Sequence, residues 1–475
     1  MKPPRIAYCS PVNPAPSGIA DYSEELLPYL GQYATLTLFI EDGLKPTNPQ
    51  LEAHLEVLPL RRLERELRRH PDTALVYHMG NSPAHAGIWR QAQRWPGVVV
   101  LHDFVLHHFM LWYAANVRHD IQQYVRAMGE RYGEAGAHMA QLMIRSRFTD
   151  AAFAFPCCEP VLAAARGLLV HSQFVQNQVA TLQPTMPVAV VPMGVPPPTT
   201  TDRAAARARL GLPPTVSVLA SFGHLNAWKR VEPALRAVAA LRAEGLDARY
   251  LLVGSVSPNY DLAGLIARAR LGDAVTITGY VPRTQFDDYV AAADLCLNLR
   301  FPTGGETSAS LLRLLGAGRP TLVSAVGAFA ELPPGTAAQV DPGPAEGEQI
   351  LAYCRLLLRQ PALAAALGAQ AKAFVAAEHT LAGAALGYAR FLARMYGWRT
   401  LVRFHAEPLW SVASPQPAAP PSAPIHQPPR PHALAVPTPL IAAAARAAAE
   451  LGLREQDHAI LHALAERIAE LSADV

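Results

Sequence analysis

Residues 220–230, "ASFGHLNAWKR", end a strand-like apolar run with a glycine turn and lead into the helical pattern "RVEPALRAVAALRAEG" at 230–245. A strand, a tight turn and a helix in this order are typical of the βα unit of a parallel sheet. Lys229 and Arg230 lie at the start of the predicted helix, where two cations oppose the helix dipole. The pattern therefore predicts an anion site such as one for a nucleotide diphosphate, with two solvated surface cations as the alternative.

The same alternation of short strands and helical stretches continues on both sides of this unit, and a long helical region is predicted at 104–147. The predicted strands lie at 5–9, 36–39, 75–78, 98–101, 168–171 and 189–192, and then at 216–222, 250–253, 275–278, 295–298, 321–324 and 339–340. Strands that alternate with helices predict an α/β protein of two doubly wound, Rossmann-like parallel-sheet domains. Ligands bind such sheets at the carboxyl ends of the strands, so we expect a cleft between the two domains.

Composition shifts set the expected domain boundaries. The first domain is predicted at 1–195 and the second at 196–400, with its last helices packing back on the first domain. Ten prolines between 415 and 439 predict a Pro-rich linker, taken as 401–439, and an Ala/Leu/Glu/Arg-rich helical tail follows at 440–475. A helical module on a Pro-rich tether is expected to dock or self-associate rather than to catalyse.

Overall composition narrows the class of protein. Of 475 residues, 51% are hydrophobic and 17% charged, with a net charge of +3, which predicts a globular chain and gives no reason to expect nucleic acid as a partner. The apolar runs are strand-sized, no secretory leader is visible, and the five cysteines form no even framework. We therefore expect a soluble cytoplasmic protein. The basic stretch 61–70 predicts a solvated helix face, with contact to an anionic membrane surface as the alternative.

A second loop with the features of a ligand site is "LRFPTGGETSASLLRLLGAGRP" at 299–320. Its glycines allow a ligand to approach the backbone, and a predicted helix begins at Glu306. Glu306 is a candidate site residue, but an acidic residue before Thr and Ser is also ordinary helix capping, and both interpretations stay open. The other predicted ligand contacts of this loop are Arg300, Gly304, Gly305, Thr307, Ser308 and Arg313.

In the first domain, His78, His102 and His171 each lie at the end of a predicted strand, so the sheet should bring three imidazoles to the cleft. For most of them a satisfied, partly buried histidine is the simpler interpretation, and His102 is the exception because Asp103 lies beside it. The predicted contacts of this domain's cleft edge are Ser17, Gly18, Asp21, His78, Asn81, Asp103 and His171.

His102, Asp103, His107 and His108 also suggest a metal site, as in metal-dependent phosphohydrolases. Adjacent residues on a helix point in different directions, so His107 and His108 cannot chelate one ion together. The sequence also offers no further ligands at suitable positions. We therefore predict no metal site and no cofactor.

The order of six motifs resembles that of the family 4 ("group 1") retaining glycosyltransferases of GT-B fold. These motifs are SGIADYS (17–23), VVVLHDF (98–104), VVPMGV (190–195), FGHLNAWKR (222–230), GYVPRTQFDDYVAAAD (279–294) and GGETSASLLRLLGAGRP (304–320). The resemblance covers about residues 4–395. It implies a nucleotide-sugar donor bound mainly by the second domain, a glycan or other hydroxyl acceptor at the first, and no required metal.

The resemblance also implies roles for individual residues. Lys229 would neutralise the leaving diphosphate, His102 would contact the donor sugar, and Glu306 would orient it. The implied donor contacts are Gly18 near the phosphates, Gly223 and Arg230 in the diphosphate motif, and Tyr280 and Val281 at the base. Two positions depart from the family pattern: His224 replaces its arginine, and Arg313 replaces its second glutamate.

The implied mechanism is transfer with retention and without a covalent intermediate. The acceptor hydroxyl attacks on the face from which the diphosphate leaves, and a phosphate oxygen serves as base. Two alternatives follow from the residues themselves. One is a degenerate sugar-nucleotide-binding protein that works through its tail, because His224 and Arg313 depart from the pattern. The other is a metal-dependent phosphohydrolase at His102 and Asp103.

Overall fold

The computed structural model describes residues 2–145, 150–200 and 202–412. The ten prolines of the predicted linker and the predicted helical tail at 440–475 lie outside the described residues. All six motifs of the resemblance lie inside them.

The first domain contains a seven-stranded parallel sheet in the order β3-β2-β1-β4-β5-β6-β7. Its strands are β1 (Arg5–Cys9), β2 (Thr35–Ile40), β3 (Glu56–Pro59), β4 (Ala74–Met79), β5 (Val98–Leu101), β6 (Gly167–Val170) and β7 (Val188–Val190). Alternate residues of β1 enter different cores, Ile6 and Tyr8 on one face and Ala7 and Cys9 on the other. Strand β3 was not predicted, because this edge strand is only partly buried and has no continuous apolar run.

The second domain contains a six-stranded parallel sheet in the order β10-β9-β8-β11-β12-β13. Its strands are β8 (Ser217–Phe222), β9 (Ala248–Val253), β10 (Val275–Gly279), β11 (Leu295–Asn298), β12 (Thr321–Ser324) and β13 (Ala338–Val340). The strand order reverses between β8 and β11, the crevice position at which open parallel sheets bind ligands. The loops at 223–230 and 299–308 follow these two strands.

Helices cover both faces of the two sheets. They are α1 (Gly18–Leu30), α2 (Pro49–His54), α3 (Leu63–Arg69), α4 (Ala86–Arg94), α5 (His107–Tyr113), α6 (Ile121–Ile144), α7 (Glu159–Ala164), α8 (Gln173–Leu182), α9 (Arg203–Arg209), α10 (Val231–Ala243), α11 (Leu262–Arg268), α12 (Arg283–Ala292), α13 (Ala309–Gly316), α14 (Glu346–Arg359), α15 (Pro361–Glu378) and α16 (Leu381–Tyr396). The helical region predicted at 104–147 is helical over most of its described length, but it is not continuous. A π-helical turn at Ala114–Arg118 and a left-handed residue, His119 (φ 52°), separate α5 from α6.

The chain returns to the first domain after the second sheet. Helix α16 packs on α1, where the hydroxyls of Tyr22 and Tyr388 lie 3.3 Å apart. Residues 401–412, expected to be linker, also pack there: the amide of Leu409 donates to the carbonyl of Pro28 at 3.0 Å, and Trp410 is buried. The linker prediction therefore began too early: residues 401–412 contain one proline, and Leu409 and Trp410 pack against the core of the first domain.

The structure therefore confirms the predicted fold class, two doubly wound parallel-sheet α/β domains. Within the described ranges, no single helix is long and apolar enough to cross a membrane. One pair of helical segments, Glu346–Arg359 and Pro361–Tyr396, meets the length and composition requirement together but is bent by 104°. In the basic stretch 61–70, Arg68 and Arg69 form ion pairs with Glu64 and Glu66 of the same helix.

Candidate functional site

Two loops of the second domain bring Lys229, Arg300 and Glu306 together. The first loop turns at Gly223 (φ +98°), and a Cβ placed there would lie 3.6 Å from Lys229 Nζ. The second loop follows β11, and Arg300 donates to the Glu306 carboxylate, which also accepts from Thr303 Oγ1 at 3.0 Å. Strands β8 and β11 are neighbours in the sheet, so their loops meet at one edge.

This cluster carries more positive than negative charge. Burial, and after it the nearby Arg300, lower the pKa of Lys229 to about 7, while Glu306 opposes this shift. Burial alone would favour the neutral acid at Glu306, but Arg300, local hydrogen bonds and Lys229 outweigh it and lower the pKa of that carboxyl. Arg300 is thus paired with Glu306, and Lys229, with its pKa near 7, lies close to both. A bound diphosphate would add the missing negative charge and favour the charged form of Lys229.

The structure contradicts the capping interpretation of Glu306. Helix α13 begins at Ala309, and its N-cap is Ser308, whose hydroxyl accepts from the Leu311 amide at 3.2 Å. The expectation that the helix begins at Glu306 is wrong by three residues. The Glu306 carboxylate is directed to Arg300 and Thr303 instead, so it does not cap the helix, and its role in a ligand site stays a prediction.

Several predicted donor contacts have protein partners. Arg230 forms an ion pair with Glu346, which is 3% exposed. Arg313 donates to the Glu25 carboxylate of α1 at 2.7 and 2.8 Å, a contact between the domains. The exposed His224 bonds Ser255 Oγ at 2.9 Å. The donor-binding roles of Arg230, Arg313 and His224 stay predictions, and the guanidinium groups of the two arginines are at present held by carboxylates.

The three strand-end histidines of the first domain form one buried stack. His78 Nδ1 and His102 Nε2 lie 2.9 Å apart, and the ring of His102 is 5.1 Å from both the His78 and His171 rings. Burial lowers the pKa of all three imidazoles, that of His171 to about 4. The stack is therefore neutral at pH 7. His85, which the sequence analysis did not single out, extends it by bonding the His78 carbonyl at 2.9 Å.

Asp103 and Asn81 lie beside this stack. The Asn81 amide donates to Asp103 Oδ2 at 2.7 Å, and the Asn81 side chain accepts from the Phe109 amide at 2.8 Å. Burial raises the pKa of Asp103 to about 7, and the negative charge of Glu306 contributes to the increase. A Cβ on Gly80 would lie 2.5 Å from Ile19 Cδ1 and 3.0 Å from Asp103 Oδ2, so these side chains approach the Gly80 backbone closely.

The remaining predicted residues lie along the same strand ends or on the surface. Ser17 is the N-cap of α1, accepting from the Ile19 amide at 3.2 Å, and space is open around Gly18. Asp21 is exposed and accepts from Asn13. Tyr280 is 78% exposed, and Val281 packs against the second domain's core. Three predicted residues, His171, Thr307 and Ser308, line one cavity of about 440 Å³ between the domains.

An aromatic contact beside Lys229 was missed by the sequence analysis. The indole N–H of Trp228 donates to Asp150 Oδ1 at 3.1 Å, and its ring lies 5.2 Å from Phe153 and 5.5 Å from His108. All three partners belong to the first domain. Trp228 therefore joins the two domains at the residue next to the cluster lysine.

In the described part of the chain, no three His, Cys, Asp or Glu side chains are arranged to hold a metal ion. His107, part of the suggested metal cluster, bonds the Tyr124 hydroxyl at 2.6 Å and the Ala152 carbonyl at 3.0 Å. The phosphohydrolase alternative thus has no ligand set among these residues.

Comparison with protein families gives a match for the second domain. Residues 216–357 match the family described as glycosyl transferases group 1. The chain is 28% identical over 158 residues to the 2-deoxystreptamine glucosyltransferase of Streptomyces kanamyceticus, a match that covers 30% of this chain and 38% of that relative. The chain thus matches well under half of the curated relative's length.

Solved structures of low sequence identity share the whole two-domain fold. Sucrose-phosphate synthase from Thermosynechococcus elongatus has a TM-score of 0.59 at 18% identity, covering 83% of this chain and 99% of that chain. The Anabaena protein HepE in complex with UDP-glucose has a TM-score of 0.58 at 15% identity, covering 82% and 99%. WaaG, a glycosyltransferase involved in lipopolysaccharide biosynthesis, has a TM-score of 0.56 at 16% identity, covering 82% and 99%. Together the family match and the GT-B fold confirm the resemblance to group 1 glycosyltransferases.

Proposed function

We propose that this chain, with its GT-B fold and group 1 second domain, transfers a sugar from a nucleotide-sugar donor to an acceptor hydroxyl with retention of configuration. The observation that carries the proposal is the cluster of Lys229, Arg300 and Glu306 at the crevice of the second sheet. Two cations with one carboxylate, placed where open sheets bind ligands, suit a diphosphate. Sugar nucleotides in complexes of a protein with the same fold support this donor class.

In the proposed reaction, bond cleavage at the anomeric carbon leaves negative charge on the diphosphate. Lys229 and Arg300 stabilise that charge in a site whose burial strengthens electrostatic interactions. These cations supply the positive charge, so the proposal includes no metal. The five cysteines are buried and unpaired, which suits the reducing cytoplasm as the compartment.

The first domain supplies neutral groups in this proposal. The imidazole of His102 is uncharged at pH 7 and can hydrogen-bond a sugar hydroxyl without competing for the diphosphate. Trp228 and its partners close the domains beside Lys229, which would exclude water from the reacting bond. The aminocyclitol acceptor named for the Streptomyces relative offers one acceptor class to test, and glycans are the second.

A binding experiment tests the donor site. The full chain is melted with UDP, GDP, ADP and their glucose and mannose conjugates, with and without EDTA. Ligand at a hundred times its Kd stabilises the folded state by about 2.7 kcal/mol. We expect one nucleotide family to raise the melting temperature equally in both conditions.

Calorimetry then tests whether Lys229 binds the diphosphate, by measuring the protons taken up on binding. The pKa of Lys229 is lowered to about 7, and a diphosphate raises it again, so binding at pH 8 should take up protons. Titrations in two buffers of different ionisation enthalpy measure that uptake. It should disappear in Lys229→Met and persist in Lys45→Met, a control at an exposed lysine. Binding without uptake, or a shift abolished by EDTA, would contradict the proposal. Donor binding with no transfer to any acceptor would favour the degenerate alternative.

A further inference from the structure

The cavity of about 440 Å³ between the domains has an unusual lining. The first domain lines it with residues at the ends of β6 and β7, and the second with Thr307, Ser308 and the segment 328–333 after β12. The C-terminal end of α15 adds Glu378 and His379. None of the described residues that line it is a lysine or an arginine. Its volume lies in the range of small-ligand sites, so a ligand of the size of a sugar ring fits.

Two histidines of this lining are held in the same tautomer. His171 Nδ1 lies 2.9 Å from the Val191 carbonyl oxygen, and His379 Nδ1 lies 2.9 Å from that of Met193. A carbonyl oxygen only accepts, and burial lowers the pKa of both rings, so Nδ1 carries the single proton and Nε2 is an acceptor. His171 is 7% exposed, and among the described residues its Nε2 has no hydrogen-bond partner. A buried acceptor without a partner is costly, and a ligand that donates to it removes that cost.

Two carboxylates border the same cavity. Glu331 accepts from the backbone amide of Gln173 at 3.0 Å and from that of Phe174, so one negative charge lies at the first turn of α8. Glu378 is exposed, and within the part of the chain that the structure describes it forms no ion pair. Charged and neutral acceptors thus surround a space whose described lining offers no cation. A ligand that carries positive charge and many hydrogen-bond donors would satisfy them.

The cavity adjoins the loop that carries part of the proposed donor site. Ser308 of its lining is two residues from Glu306, and the ring of Phe329, also in the lining, lies 4.5 Å from the Arg300 guanidinium. A ligand in the cavity would therefore approach the donor from the side on which the diphosphate is held. The proposed transfer with retention needs the acceptor on this side, and a phosphate oxygen remains its base.

We infer that this cavity binds the acceptor, and that the acceptor is a polyhydroxylated amine, such as an amino sugar, in its ammonium form. The inference rests on the proposed function and names the substrate class of that site. The ammonium group would lie at Glu378, and His171 Nε2 would accept a hydrogen bond from the ligand. A hydroxyl of the same ring receives the transferred sugar, so the ammonium group keeps its charge. The two substrates then carry opposite charges, with the anionic donor at Lys229 and Arg300.

Calorimetry on the full chain tests this inference with two ligands of nearly equal size. Methyl glucosaminide carries an ammonium group where methyl glucoside carries a hydroxyl. Each is titrated at pH 7 into protein saturated with the nucleoside diphosphate that raises the melting temperature most. The wild-type chain is compared with Glu378→Gln and with Glu348→Gln, a control at an exposed glutamate of α14. The melting shift with nucleoside diphosphate shows that each variant is folded and keeps its donor site.

We expect the wild-type chain to bind methyl glucosaminide about tenfold more tightly than methyl glucoside, since hydrogen bonds between charged groups are the stronger ones. Glu378→Gln should lose most of this preference, and Glu348→Gln should keep it. In transfer assays Glu378→Gln should raise the KM for the amino sugar about tenfold and change kcat less than about twofold, because Glu378 only binds the acceptor.

Three results would overturn the inference: no binding of either glycoside, equal binding of the two by the wild-type chain, or a preference that Glu378→Gln retains in full. Each of them leaves the donor site intact, because the nucleoside diphosphate still raises the melting temperature. A wild-type chain whose melting temperature no nucleotide raises overturns the proposed function instead.

Discussion

The two faces of the cleft are built from opposite chemistry. The second domain collects ionisable groups, with the Arg300–Glu306 ion pair and Lys229, whose pKa is about 7, in one cluster. The first domain collects neutral rings, with the ring of His102 tilted against those of His78 and His171 at 5.1 Å between centroids. Both groups follow strands of parallel sheets, so each lies at the carboxyl-end edge of its sheet. The difference therefore lies in the side chains, and in the proposed function the second domain binds the charged part of the donor.

Burial acts on both faces but with different results. In the first domain it lowers the pKa of the histidines, whose neutral form needs no counter-charge. In the second domain it cannot neutralise an arginine, so Arg300 is paired with Glu306 and Lys229 is left with a lowered pKa. An anion bound at the charged face would thus stabilise the protonated form of Lys229, while the histidines of the neutral face need no counter-ion.

The largest effect is expected when the charge of Lys229 is removed. Lys229→Ala should reduce turnover by about 10²–10³-fold, or about 2.7–4 kcal/mol, since it deletes a group that faces the developing negative charge. Nucleoside diphosphate release at saturating donor measures the effect. Lys45→Ala, at an exposed site in the first domain, should keep wild-type turnover. Similar rates for the two variants would remove Lys229 from the proposed mechanism.

The positions of both clusters along the chain could be predicted from the sequence. The ion-pair partners of the neighbouring arginines could not. A strand followed by a turn locates the end of that strand, so His102, His171 and Lys229 were predicted at the cleft from local pattern alone. Arg230 pairs with Glu346, 116 residues away, and Arg313 with Glu25, 288 residues away. No local pattern encodes such contacts, because they depend on how the helices and domains pack.

Other differences have equally local causes. Strand β3 was not predicted, because a partly buried edge strand needs no long apolar run. The contact made by Trp228 was not predicted, because an aromatic residue before two cations does not by itself indicate a partner on another domain. Its importance comes from Asp150 and Phe153 on the other domain. The sequence predicts which edge of each sheet is functional, and packing decides which side chains there remain available.

The next test concerns the buried histidines of the first domain and measures how the free energy of unfolding depends on pH. The pKa of His171 and of His85 is lowered to about 4, so between pH 6.5 and 4 the folded state binds fewer protons than the unfolded state. The free energy of unfolding must then fall as pH falls through this window, by up to about 1.4 kcal/mol per pH unit for each histidine.

Urea unfolding at pH 7.5, 6.5, 5.5 and 4.5 measures this slope. His171→Asn removes one titrating ring and should reduce the loss between pH 6.5 and 4.5 by about 2 kcal/mol relative to wild type. His138→Asn, at an exposed histidine on α6, should leave the slope unchanged. Parallel curves for wild type and His171→Asn would show that the ring is not held neutral by the fold.

The smallest effect is expected at the exposed edge of the charged face. Tyr280 is 78% exposed at the end of β10 and follows Gly279, which has a φ of +70°, so its ring is free to pack against a nucleotide base. Such a contact contributes about 0.5–1.5 kcal/mol, and Tyr280→Ala should weaken nucleoside diphosphate binding about two- to tenfold. The melting temperature without ligand should stay unchanged, because an exposed side chain contributes little to the folded state. Leu182→Ala, at an exposed apolar residue of α8, is the control and should leave binding intact. Equal affinities of the two variants would mean that the charged cluster alone holds the nucleotide, and that the second domain recognises the diphosphate without reading the base through Tyr280.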